Sequence, residues 1–257
     1  MKELPERSLT IRRVFGTMLL LPVIFVVWYD QRIGGLMVAF LALFMALEAK
    51  RITKLPPITG YLVVGLIAAQ SIPYWVIDRP VAFIHGLALL VAAVMLVYTK
   101  KNIVALFTGL LSLCLGYASL LLMQPSGHIM LVTLAVIIAA FDSAAYFVGR
   151  SVGGPKLWPQ ISPKKTISGS IGGLLAATVM TVLLADIISF ANQFDALIFG
   201  VFLGTLAQAG DLLESALKRR LNVKDSGSIL PGHGGLLDRF DGYILATPVF
   251  YLYLFEI

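Results

Sequence analysis

Charged residues are scarce in this chain, and cysteine is almost missing. Of 257 residues, 13% are charged and 58% are hydrophobic, and the mean hydropathy is +0.89. A soluble domain carries about 25% charged residues, so a soluble enzyme is excluded, and so is a disordered chain. The single cysteine, Cys114, lies within an apolar run. An intramolecular disulfide and a zinc site built from cysteines are therefore excluded as well.

Long apolar runs are what the chain has in abundance. Runs bounded by charged residues, proline or glycine predict about nine transmembrane spans, and hence an all-α polytopic membrane bundle. The predicted spans are 14–29, 33–49, 59–77, 81–98, 103–123, 129–148, 170–190, 194–213 and 242–257. Residues 1–139 are interpreted as packing and lipid-facing helices. Residues 140–257 form the predicted catalytic part, with long connections at 149–169 and 214–241.

Lysine and arginine are distributed unevenly between the loops. One alternating set of loops holds 18 of the 20 basic residues, and the other holds only Arg32 and Arg79. Because basic residues near span ends stay in the cytoplasm, we expect a cytoplasmic N-terminus and cytoplasmic long connections in a bacterial-type inner membrane. The topology and anionic membrane lipid explain the net charge of +6, so no nucleic acid is expected as a partner.

The polar residues of the first half have structural interpretations. Glu48 lies beside Lys50 and Arg51 at the end of a predicted span, so we interpret it as part of an interfacial ion pair. His85 lies inside a span and is interpreted as a hydrogen-bonded contact between helices. Chemistry is therefore expected in the second half of the chain.

The first long connection follows an acidic residue within a span. Asp142 comes about fourteen residues into its apolar run, where an ionised carboxylate is costly, so we expect it to face a polar cavity or a partner. Glycines and prolines after Gly149 should prevent a regular helix. Lys164 and Lys165 add charges that suit a phosphate. A basic loop that only binds anionic lipid is the alternative.

The second long connection carries most of the remaining charged residues. Asp211 ends a span, and Glu214, Ser215 and Lys218 follow at offsets of three, four and seven, which places them on one helical face. Glu214 and Lys218 alone could be a simple surface pair. Asp241 alone could be a helix N-terminal cap. The connection continues with Lys224, Asp225, the glycine-rich Pro231 to Gly235, Asp238 and Arg239.

Several carboxylates and cations together beside a membrane indicate a site for a hard cation and a phosphate compound. Mg²⁺ takes oxygen ligands, keeps waters and completes its shell with one or two carboxylates and substrate phosphates. Bound metal inverts the local field, so lysine and arginine can neutralise the remaining phosphate charge. His233 has three open interpretations: a base, a hydrogen-bond donor to phosphate, or a residue that orders the loop.

The segment from Ser215 to Asp241 resembles the signature of the phosphatidate cytidylyltransferases, or CDP-diglyceride synthases. That pattern reads S, K, R, then K-D, P-x-H-G-G and D-R-x-D. The matching residues are Ser215, Lys218, Arg219, Lys224, Asp225, Pro231, His233, Gly234, Gly235, Asp238, Arg239 and Asp241. Upstream, the residues similar to a second region of the family are Asp142, the run from Ala145 to Phe147, Gly149, Arg150 and the run from Ser162 to Thr166. Ser168 stands where members often carry Glu or Gln. The resemblance covers residues 140–243.

The resemblance implies transfer of CMP from CTP to phosphatidate, giving CDP-diacylglycerol and pyrophosphate for phospholipid biosynthesis. It suggests Asp211 and Asp238 as ligands of Mg²⁺, with a second metal ion left open. Second choices for metal or ribose contacts are Asp142, Asp225 and Asp241. Phosphate contacts are assigned to Lys218, Arg219, Lys224 and Arg239, and the phosphatidate head group to Lys164 and Lys165. The predicted site also includes Ser215 and His233.

Two other functions fit part of the pattern. A CTP-dependent lipid kinase of the dolichol or phytol kinase type would transfer the γ-phosphoryl group to a lipid alcohol and release CDP. A cation-coupled transporter would use Asp142, Asp211 and Asp238 as an ion path, but its polar residues should spread through the bilayer rather than gather on one side. Membrane lipid is an expected partner in each case, and a homodimer is left open.

Overall fold

The computed structural model describes residues 31–70, 80–227 and 234–255, and these ranges are mainly helical. The N-terminal helices are α1 (Gln31–Thr53), α2 (Pro57–Ala69), α3 (Pro80–Thr99), α4 (Asn102–Met123) and α5 (Gly127–Ser151). Two strands follow, β1 (Lys156–Trp158) and β2 (Ser162–Thr166). The C-terminal helices are α6 (Ile167–Leu183), α7 (Ala185–Ile188), α8 (Gln193–Arg220), α9 (Leu237–Phe240) and α10 (Tyr243–Phe255).

Four of these helices, α3, α4, α5 and α8, are long and apolar enough to cross a membrane. The shorter helices α2, α6 and α10 are apolar as well. The chain is therefore an integral membrane protein built from helices, as its hydropathy predicts. The prediction of about nine spans is not confirmed, because only these four described helices have the required length and composition. The predicted span 14–29 lies outside the described residues.

The predicted bounds match most helices closely. Each of five predicted spans falls within a single helix: 33–49, 81–98, 103–123, 129–148 and 194–213. The predicted span 170–190 is instead divided between α6 and α7, and α7 ends where Ser189 takes a left-handed conformation with φ of 65°. Helix α2 ends at Ala69, and residues 71–77 of the predicted span 59–77 lie outside the described ranges.

Helix α4 is the centre of the bundle. Most of its spanning window is buried, 78% against 22% for α3. Its first half packs in one apolar cluster with α1, α2, α3 and α9, and its second half packs in another with α5, α8 and α10. His85 of α3 lies 3.2 Å from the hydroxyl of Tyr117 on α4, so its interpretation as a contact between helices is confirmed.

Helices α5 and α6 pack with their backbones in close contact. A Cβ at Gly169 would lie 2.6 Å from the carbonyl oxygen of Ala145, and one at Gly173 would lie 2.9 Å from that of Phe141. Small residues allow such an approach in membrane helices. Because α6 begins directly after β2, this packing holds the strand against the end of α5.

A short β-hairpin lies between α5 and α6, where the sequence predicts no regular helix. The described residues are otherwise mainly helical, in agreement with the all-α prediction. Helix α5 continues past Gly149 to Ser151, and two glycines with positive φ, Gly153 (66°) and Gly154 (98°), then end it. Antiparallel β1 and β2 follow, pairing Lys156 with Thr166. The Thr166 side chain accepts a hydrogen bond from the N–H of Gly169, at 3.1 Å, and so caps α6.

Candidate functional site

The last two turns of α8 carry the polar face that the sequence predicts. Ser215 Oγ donates to Asp211 Oδ1 at 3.5 Å, and Lys218 Nζ lies 2.6 Å from Glu214 Oε2. These contacts join residues four apart, as the helical period requires. The predicted sharing of one face by these four side chains is confirmed.

Lys218 contacts two carboxylates, those of Glu214 and Asp238. We call these three residues the Lys218 cluster. The ammonium lies 2.6 Å from Glu214 Oε2 and 2.6 Å from Asp238 Oδ1. The Glu214 side chain is only 1% exposed, so the simple surface pair is the wrong interpretation. Losing one member of a buried ion pair leaves the other charge uncompensated.

Asp238 also organises the backbone around it. Its Oδ2 accepts hydrogen bonds from the N–H of Gly235 at 2.7 Å and from that of Ser226 at 3.0 Å. Burial raises the pKa of Asp238, but the hydrogen bonds from Lys218, Gly235 and Ser226 outweigh it and hold the pKa below its ordinary value. Asp238 is therefore ionised and connects residues 226 and 235, on the two sides of residues 228–233.

A second group of charges, the Lys165 cluster, consists of Asp142, Lys165, Asp211 and Asp241. Lys165 of β2 forms an ion pair with Asp211 of α8. A Cβ at Gly210 would lie 2.5 Å from the carbonyl oxygen of Asp241, so the absence of a side chain there brings Asp241 against α8. Burial raises the pKa of Asp241 well above its ordinary value, and repulsion from Asp211, Glu214 and Asp142 raises it further.

A polar cavity of about 750 Å³ opens beside the Lys165 cluster, between α5, the hairpin and α8. This volume is in the range of small-molecule sites. Its charged and polar lining residues include Asp142, Tyr146, Arg150, Lys156, Lys164, Lys165, Ser170, Gln208 and Asp211. The expectation that Asp142 faces a polar cavity is confirmed. Four cations and two carboxylates on one wall suit an anionic ligand accompanied by a cation.

The predicted site leaves out several lining residues, although Tyr146 and Arg150 stand in the stretch that resembles the family. Tyr146 and Arg150 follow Asp142 at offsets of four and eight, and Gln208 precedes Asp211 by three. These offsets place each of them on the same helical face as a predicted site residue, so extending the helical period would have found them. Arg150 Nη1 donates to the hydroxyl of Tyr146 at 2.9 Å, which holds both side chains along one wall of the cavity.

The other predicted cationic residues have different surroundings. Arg219 Nε donates to the carbonyl oxygen of Ile161 at 3.2 Å, which ties the end of α8 to the hairpin. Lys224 and Asp225 are exposed in the segment after α8. Arg239 lies at the wall of an apolar pocket of about 160 Å³ between α1, α4, α5 and α10.

His233 and Ser168 are the two remaining residues discussed with the family pattern. His233 lies outside the described residues, so its three interpretations stay predictions. Ser168, which departs from the family pattern, donates from Oγ to the carbonyl oxygen of Gly153 at 2.5 Å. Ser168 therefore closes the turn between α5 and the hairpin at its base.

Glu48 is not the surface ion pair that its neighbours suggest. Its side chain is buried and accepts hydrogen bonds from the N–H groups of Leu236 and Leu237, both at 2.9 Å. Lys50 Nζ, one of the two cations expected beside it, instead lies 3.2 Å from the ring centre of Tyr61. The interpretation is wrong because the partners of Glu48 are backbone amides far along the chain, which local spacing does not indicate.

The predicted metal ligands belong to two adjacent clusters. In the described ranges, no group of three or more His, Cys, Asp or Glu side chains is arranged to hold a metal ion. Asp211 has Lys165 as its counter-charge and Asp238 has Lys218. The donor chemistry nevertheless fits Mg²⁺, because every carboxylate here is a hard oxygen ligand and the Lys165 cluster has more carboxylates than cations.

The fold and the site together define a membrane-embedded helical protein with an ionic cavity at one end of the bundle. A model of the cytidylyltransferase family matches residues 10–256, and the chain belongs to that family.

Three curated relatives with similar sequences carry the name phosphatidate cytidylyltransferase. The protein of Bacillus subtilis is 48% identical over 120 residues, 46% of this chain and 45% of its own length. The protein of Brucella suis is 44% identical over 130 residues, 51% of this chain and 48% of its own length. That of Staphylococcus haemolyticus is 45% identical over 116 residues, 45% of each chain. The chain spans about half the length of the curated relatives it matches.

Proposed function

We propose that the protein transfers CMP from CTP to phosphatidate, giving CDP-diacylglycerol and pyrophosphate for phospholipid biosynthesis. The observation that carries this proposal is the Lys165 cluster beside a cavity of about 750 Å³ whose wall is rich in lysine and arginine. Membership of the cytidylyltransferase family and the names of the relatives support it.

The chemistry requires charge neutralisation more than a strong base. A phosphate oxygen of phosphatidate would attack the α-phosphorus of CTP in line, and pyrophosphate would leave. Because the nucleophile is already anionic, positioning and electrostatic stabilisation supply most of the catalysis. No covalent enzyme intermediate is needed. We assign the phosphates to Lys218, Arg219, Lys224 and Arg239, and the lipid head group to Lys164 and Lys165.

We propose Asp211 and Asp238 as the residues that hold Mg²⁺, with Asp142, Asp225 and Asp241 as further candidates for a second metal ion or the ribose. Bound Mg²⁺ would supply positive charge to the triphosphate. The residues of the chain hold and orient these carboxylates: Ser226 and Gly235 fix Asp238 through their N–H groups. Ser215 and His233 complete the proposed site.

We also propose a location at the cytoplasmic face of a bacterial-type inner membrane, with about nine spans and a cytoplasmic N-terminus. CTP is available on that side. The contacts of Glu48 with Leu236 and of Arg219 with Ile161 support this topology, because they join three segments that the distribution of basic residues assigns to one face. A homodimer stays a prediction.

Labelled CTP distinguishes this reaction from its main alternative. Purified protein in detergent is incubated with Mg²⁺, phosphatidate and CTP labelled either in the cytidine or in the γ-phosphate. We expect the cytidine label in lipid and the γ-label in pyrophosphate, and no lipid product when phosphatidate is omitted. A γ-label in lipid with free CDP would instead show a lipid-alcohol kinase and would contradict the proposal.

A further inference from the structure

Glu48, a buried carboxylate of α1, lies in the half of the chain to which no chemistry is assigned. Its side chain is 3% exposed, five residues before the end of the helix. Oε1 accepts from the N–H of Leu236 at 2.9 Å, and Oε2 accepts from that of Leu237 at 2.9 Å and from Ser226 Oγ at 3.3 Å. Among the described residues no lysine, arginine or histidine forms an ion pair with it. Hydrogen-bond donors of the connection between α8 and α10 therefore hold this charge.

The connection is shaped to fit this carboxylate. A Cβ at Gly235 would lie 2.6 Å from Glu48 Oε2, and a Cβ at Gly227 would also collide with the Glu48 side chain. At both positions the distance is shorter than those between Cβ atoms and their neighbours in real proteins. The backbone on each side of residues 228–233 thus packs directly on Glu48, and a side chain at either position would displace the Glu48 carboxylate.

The same backbone is held from its other side by Asp238. Ser226 donates a hydrogen bond from its hydroxyl to Glu48 and one from its N–H to Asp238. The N–H of Gly235 donates to Asp238, and the N–H of the next residue, Leu236, donates to Glu48. Two carboxylates from different helices therefore clamp one short piece of chain. The positions of the Glu48 and Asp238 carboxylates depend on each other, because both accept hydrogen bonds from the backbone around Ser226 and from that around Gly235.

We propose that Glu48 is a positioning residue of the site. Through Ser226, Leu236 and Leu237 it fixes the start of α9, and so places the Asp238 carboxylate beside Lys218. It touches neither CTP nor lipid and acts only through these residues. The consequence for turnover rests on the proposed function, whereas the consequence for the position of the connection does not.

Turnover of variants tests the catalytic consequence. Glu48→Ala should lower kcat about 10- to 100-fold, because misplacing a reacting group by about 1 Å has effects of this size. Glu48→Gln keeps one acceptor oxygen and should retain more activity than Glu48→Ala. Ser226→Ala removes only the third hydrogen bond and should show a smaller loss in the same direction.

Ser112→Ala is the matched control, because it removes a buried hydrogen bond from Gln70, 2.7 Å long, away from the connection. It should lower the unfolding temperature without lowering kcat. An equal loss of kcat in Ser112→Ala and Glu48→Ala at equal loss of unfolding temperature would overturn the positioning role, since it would show a merely structural effect.

Limited trypsin digestion tests the anchor without CTP. Lys224 is exposed in the connection, so release of the clamp should speed cleavage after it. We expect cleavage at least several-fold faster in Glu48→Ala than in wild type, and unchanged in Ser112→Ala. Unchanged cleavage together with wild-type kcat would overturn the proposal. If wild type itself made no CDP-lipid, the proposed function would fail, and digestion would still decide whether Glu48 holds the connection.

Discussion

The Lys218 cluster and the Lys165 cluster lie on neighbouring turns of α8, yet their charges are balanced in opposite ways. In the Lys218 cluster, Lys218 contacts both carboxylates and two backbone N–H groups donate to Asp238, so the pKa of Asp238 is held low despite its burial. Oε1 of the buried Glu214 has no hydrogen-bond donor among the described residues. In the Lys165 cluster, three carboxylates share one ammonium beside an open cavity, and the pKa of Asp241 is high. The first arrangement links α8 to α9 through direct contacts, and the second places three carboxylates beside a cavity, where a bound cation would offset their mutual repulsion.

Removal of divalent cations should have the largest effect and should separate the two clusters. Chelation should abolish transfer of cytidine to lipid, because the carboxylates of the Lys165 cluster would then repel the triphosphate. The unfolding temperature should change less than turnover, because the contacts of Lys218 with Glu214 and Asp238 are made within the protein without the ion. Turnover is followed with labelled CTP before and after EDTA, with Mg²⁺ added back as the control. Full turnover in metal-free protein would remove Mg²⁺ from the proposal.

Lys218→Met should be the most destabilising single substitution in either cluster. It leaves Glu214 and Asp238 close together without their cation, and breaking a buried pair costs about 3–5 kcal/mol. Lys165→Met should cost less than about 1 kcal/mol, because its side chain is 27% exposed and water can solvate Asp211. Denaturant unfolding in mild detergent measures both. An equal loss of unfolding free energy in Lys218→Met and Lys165→Met would contradict the difference in burial between the two clusters.

Asp211→Asn should separate catalysis from stability. We expect turnover to fall at least about 100-fold, as for loss of a group that stabilises the transition state, with little change in unfolding temperature. Asp238→Asn should lose turnover and also stability, because it breaks the contact with Lys218. Asp195→Asn, on the exposed N-terminal turn of the same helix, is the control and should keep full turnover. Wild-type turnover in Asp211→Asn would remove that residue from the metal role.

Arg219→Ala should have the smallest effect on stability, about 1 kcal/mol or less for one exposed hydrogen bond to Ile161. If Arg219 also binds a CTP phosphate, the KM for CTP should rise several-fold, with kcat nearly unchanged. Arg220→Ala removes the same charge from the next residue and serves as the control. Identical KM values in the two variants would show that Arg219 only ties α8 to the hairpin.

The helix positions and the polar face of α8 were predictable because both follow from patterns in the local sequence. Apolar length sets α3, α4 and α5, and the 3.6-residue period groups Asp211, Ser215 and Lys218. Contacts between distant segments were not predictable in this way. Lys165 meets Asp211 across 46 residues, and Glu48 meets Leu236 across 188.

The β-hairpin was missed for a different reason. Its strands are three and five residues long, and β2 carries a proline and two lysines, a composition typical of a loop. The strands persist because Ser168 and Thr166 close the hairpin onto the ends of α5 and α6. Such closure depends on tertiary contacts, which no local pattern in the sequence reports.

The contact of Glu48 with the start of α9 has a consequence for dividing the protein into two fragments. A fragment that begins at residue 140 would retain every proposed ligand of CTP and metal but would lack this anchor. Coexpression with a separate piece that contains α1 to α4 should then restore turnover by complementation in trans, and the same piece with Glu48→Ala should restore far less.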